Sequence, residues 1–293
     1  MDVAKQQSQA WADRYWTSRD GLTLHYRDYP GPSDRPPLLM LHGLTRNSRD
    51  FEHVAARYAG DWRVIAVDFR GRGMSERDPN SARYMPATYA WDVIQLLDEL
   101  QIDKAVFLGT SLGGLVTMIV ASVAPERIAG VLLNDVGPEL DLSGIDRIKT
   151  YVGKPVVFRD WDDAAEQLRS RSGDVHPKYD RAEWLRFAKR ICRETDAGVE
   201  FDYDMAIAEP FNAGNTGEVP DGWPYYKALA GRPVLVLRGE LSDLLSDAAS
   251  ERMATEISDV EVVTVPDVGH APDLGEPVAA AAIDRLLERV LSQ

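Results

Sequence analysis

Apolar positions along this chain fall into two patterns, short continuous runs and residues at helical spacing. The continuous runs are typical of strands buried on both faces of a sheet. They lie at residues 37–41, 63–68, 105–108, 130–135, 233–239 and 260–265. Helical spacing follows several of them, at residues 49–58, 88–100, 115–121 and 276–291. Because strands alternate with helices, the pattern predicts an α/β protein with a mostly parallel central sheet and helices on both faces. Residues 22–27 alternate between apolar and polar side chains, which predicts an antiparallel strand near the sheet edge.

The pattern changes between residues 137 and 221. Continuous apolar runs are missing there, and aromatic and charged residues mix at helical spacing, as at 180–187. Residues 212–221 are interpreted as a loop. The pattern therefore predicts a mainly helical cap, 137–221, inserted into a core domain formed by residues 1–136 and 222–293.

Composition and charge exclude several classes of partner. Of the 293 residues, 44% are hydrophobic, which is enough to bury a large core. The formal net charge of −14 at pH 7 disfavours nucleic acid and anionic membrane surfaces as partners, because both carry negative charge. The expected partner is a small-molecule substrate, and the sequence leaves a homodimer open.

Cysteine usage and the N-terminal segment indicate where in the cell the protein is expected. Cys192 is the single cysteine, so an intramolecular disulfide is excluded, and there is no Cys/His cluster with the spacing of a zinc site. Residues 1–16 hold no apolar run of the signal-peptide type, and no stretch is long and apolar enough to span a bilayer. We therefore expect a cytoplasmic protein.

A candidate nucleophile follows the run at 105–108. Residues 109–113 read Gly-Thr-Ser-Leu-Gly, between a predicted strand and a predicted helix. A serine on such a sharp turn projects its hydroxyl from the sheet edge, and Gly109 and Gly113 leave room because they have no Cβ. Ser111 is therefore the predicted nucleophile.

A serine hydroxyl is a weak nucleophile and needs an adjacent base. His270 lies just past the last predicted strand, where a loop can reach back over Ser111. His25, His53 and His176 lie in a strand, a helix and the cap, where they suit this role less well.

A third group has to orient the base, and three carboxylates compete for this role. Asp243 is favoured because it follows the strand that ends at Gly239, and reacting groups lie beyond the carboxyl ends of parallel strands. Asp135, at the end of the preceding core strand, and Glu240 are the alternatives. The order Ser111, Asp243, His270 matches the order expected for this turn motif.

The oxyanion formed on attack needs hydrogen-bond donors aimed at it. The backbone N–H of Leu112, directly after the serine, is one candidate. The second is the N–H of Leu44, in the His-Gly-Leu-Thr loop that follows the run at 37–41.

These pieces together resemble the α/β-hydrolase fold superfamily, specifically its capped members with a serine nucleophile. The matching segments are spread over the chain outside the cap and are 42–43, 68–75, 109–114, 239–243 and 269–270. In the segment 68–75 we interpret Arg70 as a structural residue that pairs locally.

The resemblance implies acyl transfer without a metal or organic cofactor. Members with an aspartate nucleophile dehalogenate alkanes or open epoxides, which a serine at position 111 disfavours. Serine members include carboxylesterases, enol-lactonases, carbon–carbon bond hydrolases of ring-cleavage products and cofactor-free perhydrolases. We expect a carboxylesterase-like serine hydrolase that acts on a small to medium, mainly apolar or aromatic ester. A carbon–carbon bond hydrolase or an enol-lactonase is the alternative, and a non-catalytic receptor of the same fold is a third reading.

The cap is expected to shape the substrate pocket. Its large apolar residues, and one just beyond it, are the candidate liners: Trp161, Trp184, Phe187, Met205, Phe211 and Trp223. A carbon–carbon bond hydrolase would bind a substrate carboxylate, and Arg181, Arg186 and Arg190 on a predicted cap helix are the candidate partners.

Overall fold

A computed structural model describes residues 10–213 and 221–293. Residues 214–220, which make up most of the predicted loop 212–221, lie outside the described residues, and so do residues 1–9 of the N-terminal segment.

Within the described residues, eight strands form one sheet in the order β1-β2-β4-β3-β5-β6-β10-β11, and three form a second sheet in the order β7-β9-β8. The strands are β1 (Ala12–Thr17), β2 (Thr23–Tyr29), β3 (Leu38–Leu41), β4 (Val64–Asp68), β5 (Ala105–Thr110), β6 (Ile128–Asn134), β7 (Val157–Phe158), β8 (Cys192–Thr195), β9 (Gly198–Phe201), β10 (Val234–Gly239) and β11 (Val260–Val265). The pairs β1–β2 and β2–β4 are antiparallel, and the remaining pairs of the large sheet are parallel. The predicted fold class is confirmed, although β1 at the edge was not predicted.

Helices pack on both faces of the large sheet, and others lie in the segment between β6 and β10. In the described part of the chain they are α1 (Glu52–Tyr58), α2 (Pro86–Glu99), α3 (Leu112–Val123), α4 (Leu142–Lys149), α5 (Trp161–Ser172), α6 (Arg181–Ile191), α7 (Ala208–Ala213), α8 (Trp223–Lys227), α9 (Asp247–Glu256) and α10 (Pro277–Leu291). None of these helices is both long and apolar enough to cross a membrane.

Strand β3 shows why the central runs are uniformly apolar. Leu38 and Met40 pack with residues of α1 and α10 on one face of the sheet. Leu39 and Leu41 pack with residues of α2 and α3 on the other face. Because successive side chains of a strand point to opposite faces, a strand covered on both sides has to be apolar throughout.

The segment between β6 and β10 contains α4 to α8 and the small antiparallel sheet. The expectation of a mainly helical segment is therefore incomplete. Strand β8 has the sequence Cys-Arg-Glu-Thr with a single buried side chain, Cys192, so it carries no apolar run that could reveal it. The division into a core (1–136 and 222–293) and a cap (137–221) stays a prediction.

Arg49 connects the core to the predicted cap, residues 137–221, hereafter the cap segment. Its guanidinium donates to the Asp202 carboxylate at 2.8 Å and to the backbone oxygens of Cys192 and Arg190 at 3.1 Å. The backbone oxygen of Asp202 also accepts from the N–H of Gly73 at 3.1 Å.

Arg70 confirms the prediction of a structural role. This buried guanidinium donates to the carboxylates of Asp92, Asp20 and Asp78 at 2.7–2.8, 2.8 and 2.6 Å. A buried charge requires such partners, because an uncompensated one would cost several kcal/mol. The cluster holds the loop that follows β4.

The crossing of β3 and α3 depends on the absence of a side chain at position 113. A Cβ built on Gly113 would lie 2.0 Å from the backbone oxygen of Leu41, and one on Gly109 would lie 2.6 Å from the backbone of Gly113. At Gly43, by contrast, a Cβ would make ordinary contacts of 3.6 Å or more. The predicted need for room at positions 109 and 113 is confirmed.

We predict that Gly113→Ala lowers the free energy of unfolding by about 3 kcal/mol or more, because backbone has to move to relieve the clash. Urea denaturation followed by tryptophan fluorescence measures this. Gly43→Ala is the matched control, and we expect it to change the same free energy by less than about 1 kcal/mol. Equal losses in the two variants would contradict the steric argument.

Candidate active site

Ser111 occupies the turn between β5 and α3. Its backbone adopts φ 51° and ψ −114°, a conformation that non-glycine residues rarely adopt, and helix α3 begins at the next residue. The N–H of Ser111 donates to the backbone oxygen of Asn134 at 3.0 Å, which ties the turn to β6. This is the strained strand–turn–helix geometry that the sequence predicts.

His270 lies in the loop between β11 and α10, and its Nε2 is 2.9 Å from the Oγ of Ser111. The preceding residue, Gly269, donates its N–H to the backbone oxygen of Val175 at 2.8 Å. The histidine loop is therefore held by the cap segment as well as by the sheet. The structure brings together the two residues that the sequence paired.

Asp135 contacts the other ring nitrogen. Its Oδ2 lies 2.7 Å from the Nδ1 of His270, and it also accepts from the hydroxyl of Ser242 at 2.7 Å. Its Oδ1 accepts from the N–H of Gly239 at 2.8 Å. The side chain is fully buried, and the residue has φ 54° directly after β6.

The prediction that Asp243 orients the histidine is wrong. Both oxygens of Asp243 accept from the guanidinium of Arg147 on α4, at 2.5 and 2.8 Å. This guanidinium holds the pKa of Asp243 below its usual value. Glu240 is not the partner either, since its carboxylate accepts from the N–H of Asp267 at 2.9 Å.

The hydrogen bonds fix the roles of the two ring nitrogens of His270. A carboxylate only accepts, so Nδ1 carries the proton that is donated to Asp135. In the neutral ring Nε2 is then the acceptor, and it faces the hydroxyl of Ser111. The geometry therefore allows a proton to pass from this hydroxyl to the ring.

His42 holds the loop that contains Leu44. Its Nδ1–H donates to the backbone oxygen of Gly43 at 2.7 Å, and its Nε2 accepts from the N–H of Phe69 at 3.1 Å. Burial lowers the pKa of His42 to about 4, so the neutral ring that this pairing requires is the stable form at pH 7. The guanidinium of Arg72 donates to the backbone oxygen of Leu44 at 3.0 Å.

Leu44 lines the same small cavity as Ser111 and His270. Leu112 is the first residue of α3, so its N–H has no partner one turn back in the helix. The positions of these two residues are compatible with the predicted oxyanion role.

A larger cavity of about 490 Å³ opens beside the reacting groups, between the core and the cap segment. It shares several lining residues with the small cavity: Thr45, Arg46, Tyr151, His176, Phe187 and His270. His270 therefore faces both spaces, and a substrate held in the large one lies next to the catalytic candidates.

Of the predicted pocket liners, only Phe187 lines these two cavities. Trp184 and Trp161 pack in or against the core of the cap segment. Met205 and Phe211 pack against the main core, and Trp223 is buried in it. The prediction was wrong for these five residues because large aromatic and apolar side chains fill the cores where they can bury the most surface.

The three candidate arginines of α6 have different surroundings. Arg181 and Arg186 are exposed and pair with Asp162 and Glu183. Arg190 lines the small cavity. The sequence missed Arg46, His176 and Tyr151, although Arg46 lies only two residues after Leu44 and so had a positional signal.

His176 is buried and lines both the small and the large cavity. Its ring stacks on Tyr179 with the centroids 4.2 Å apart, and burial lowers its pKa to about 4. No group of His, Cys, Asp and Glu side chains suited to hold a metal occurs within residues 10–213 and 221–293.

The fold and this site are those of a hydrolase of the α/β class. The family model described as alpha/beta hydrolase fold matches residues 36–277. This chain therefore belongs to the α/β-hydrolase fold family.

Individual relatives agree with this family. The 3-hydroxybutyrate-oligomer hydrolase of Cupriavidus necator is 34% identical over 264 residues, which cover 87% of this chain and 89% of that protein. The 2-(acetamidomethylene)succinate hydrolase of Mesorhizobium japonicum is 28% identical over 251 residues, 85% of each chain. The crystal structure of an alpha/beta hydrolase from Novosphingobium aromaticivorans superposes with a TM-score of 0.91 at 52% identity, covering 96% of this chain and 99% of that one.

We predict that acid destabilises this protein partly through its buried histidines. The pKa of His176 is about 4 in the folded chain and 6.5 ordinarily, so between these values the unfolded chain binds more protons. Stability contributed by the neutral ring is therefore complete above pH 6.5 and is lost as the pH falls toward 4. His42 has the same sign.

Lowering the pH from 7 to 5 should cost about 2 kcal/mol of unfolding free energy for each such histidine. His176→Phe removes one contribution, so the stability difference between wild type and variant should shift by about 2 kcal/mol in favour of the variant over this interval. Urea denaturation at both pH values measures it. Parallel losses in the two proteins would contradict the assignment.

Proposed function

We propose that this protein is a serine hydrolase that cleaves a carboxylic ester through an acyl-enzyme. The observation that carries the proposal is the continuous chain of hydrogen bonds from Ser111 through His270 to Asp135, with lengths of 2.9 and 2.7 Å. Such a chain converts a serine hydroxyl into a nucleophile.

In the first half-reaction the Oγ of Ser111 attacks the ester carbonyl carbon while the Nε2 of His270 takes its proton. The N–H groups of Leu44 and Leu112 stabilise the oxyanion. His270 then protonates the leaving alcohol, and the carbon–oxygen bond of the ester breaks.

In the second half-reaction water attacks the acyl-enzyme, and His270 accepts a proton from it. The tetrahedral intermediate collapses, the acid leaves and Ser111 regains its proton. Asp135 stays ionised throughout, fixes the tautomer of the ring and stabilises the imidazolium that forms twice in each cycle. This cycle needs no metal or organic cofactor.

The names of the relatives support hydrolysis of a small acid derivative. The protein from Cupriavidus necator is named for 3-hydroxybutyrate oligomers, and hydroxy acids oligomerise through ester bonds. The expected preference for a mainly apolar or aromatic ester loses its basis, since it depended on liners that the structure places in the cores. The small-molecule substrate, the cytoplasmic location and the homodimer that the sequence allows are still predictions.

A carbon–carbon bond hydrolase of ring-cleavage products, or an enol-lactonase, is the second candidate. Such a carbon–carbon bond substrate carries a carboxylate, and two arginines of the cap segment, Arg147 and Arg171, line the large cavity. Steady-state rates on a ring-cleavage product, an enol-lactone and a simple ester, measured side by side, separate these reactions.

We predict that Ser111→Ala lowers kcat for short esters by at least about 10,000-fold, because the nucleophile is lost. The thermal midpoint should stay near that of the wild type. Ser122→Ala, an exposed serine on the same helix, is the matched control and should keep full activity. A fluorophosphonate should label the wild type and not Ser111→Ala. Retained turnover in the alanine variant would remove Ser111 from this role, and no labelling of the wild type would favour a non-catalytic receptor.

We predict that Asp135→Asn lowers kcat by about 1,000-fold or more, because an amide can present a donor to Nδ1 and disturb the tautomer. Asparagine tolerates the positive φ at this position, so the backbone is preserved. Asp243→Asn is the matched control. It breaks only a half-exposed ion pair with Arg147, and it should change kcat by about tenfold or less. A larger loss in Asp243→Asn than in Asp135→Asn would overturn the assignment.

A further inference from the structure

The lining of the large cavity has a charge opposite to that of the chain. The chain carries 47 acidic and 33 basic residues, yet no Asp or Glu is found among the described residues that line this cavity. Its basic residues are Arg46, Arg147, Lys154 and Arg171.

Two of these cations already have acidic partners. Arg147 is bound by both oxygens of Asp243, and the guanidinium of Arg46 lies 3.3 Å from the carboxylate of Asp50. They contribute little net charge to the cavity.

The other two cations, Lys154 and Arg171, are not neutralised by a described acidic residue. Within the described ranges, neither Lys154 nor Arg171 forms an ion pair, and both are exposed. Arg171 donates to the side-chain oxygen of Gln167 at 3.1 Å, and its guanidinium lies 5.9 Å from the ring of Phe158. These contacts hold the guanidinium without neutralising it.

The rest of the lining suits a short carbon chain. Val156, Leu168, Val175 and Ile191 supply an apolar wall, and His270 lies at the catalytic end. A molecule that combines an ester, a short carbon chain and a negative group matches these three kinds of lining. Fixed cations in a partly enclosed cavity attract an anion more strongly than cations on an open surface do.

We propose that the large cavity binds a carboxylate of the substrate through Lys154 and Arg171. The substrate class is then an acidic ester, such as a monoester of a dicarboxylic acid or an ester of a hydroxy acid with a free acid end. This inference rests on the proposed function, because it places the scissile ester at Ser111. The two cations determine specificity and take no part in bond breaking.

The test compares two esters of equal size. Monoethyl glutarate carries the carboxylate, and ethyl glutaramate replaces it with a neutral amide. We expect wild-type kcat/KM, measured by initial rates of ethanol release, to be at least about tenfold higher for the acid. The difference should lie mainly in KM and should shrink as the salt concentration rises.

Substitution identifies the residues. The double variant Lys154→Gln/Arg171→Gln should lose most of this preference, with about a tenfold fall in kcat/KM for monoethyl glutarate and little change for ethyl glutaramate. Arg169→Gln on the same helix is the control, and it removes one positive charge outside the cavity. It pairs with Glu166 outside the cavity lining, and its preference should match the wild type.

The outcomes separate the inference from the proposed function. If wild type hydrolyses both esters equally well, or if the double variant and Arg169→Gln behave alike, the carboxylate site is wrong while the serine hydrolase stands. If wild type turns over no ester, the proposed function fails. Calorimetry with glutarate on wild type and the double variant then decides the site, and no binding, or equal binding, overturns it.

Competitive inhibition distinguishes a carboxylate on a carbon chain from a general anion. Glutarate should inhibit wild type more strongly than inorganic phosphate does, because only glutarate also covers the apolar wall. Equal inhibition by the two anions would overturn the assignment to a carboxylate.

Discussion

The hydrogen bond between Asp135 and His270 is the interaction on which the site depends. A fully buried carboxylate is stable only when donors replace the water it has lost. Here the donors come from His270, from the N–H of Gly239 and from the hydroxyl of Ser242. They lie at the end of β10 and on the loops that follow β10 and β11, and β10 lies between β6 and β11 in the sheet. The order of the strands therefore brings the three loops together, and the buried charge holds them in register.

Hydrogen bonds from the cap segment also hold two of these loops. Its Val175 accepts a hydrogen bond from Gly269, next to the catalytic histidine, and its Arg147 binds the carboxylate of Asp243 on the loop after β10. Two of the three loops around Asp135 thus contact the segment that also lines the large cavity. The segment that lines the large cavity therefore also holds the loop of the histidine.

The sequence was sufficient for the fold, for Ser111 and for His270, because each is encoded by a local pattern. Choosing between Asp135 and Asp243 required information that no local pattern carries. Both residues follow adjacent parallel strands and so end at the same sheet edge. What separates them is Arg147, 96 residues before Asp243, which occupies that carboxylate. The prediction of the pocket liners failed for a related reason: hydrophobicity predicts burial, and five of the six large candidates pack in or against the cores instead of lining the cavity.

An acidic chain can contain a basic cavity because salt screens the interaction between charges that are far apart. At physiological ionic strength charges act over about 8 Å, so an acidic residue farther than this from the cavity has little influence inside it. An anionic group that enters is governed by the side chains within that distance, and among the described lining residues the cations without an acidic partner are Lys154 and Arg171. The chain as a whole has a formal net charge of −14, while the local field at the cavity has the sign that a carboxylate requires. The charge of the whole chain therefore does not determine the charge that a substrate meets in the cavity.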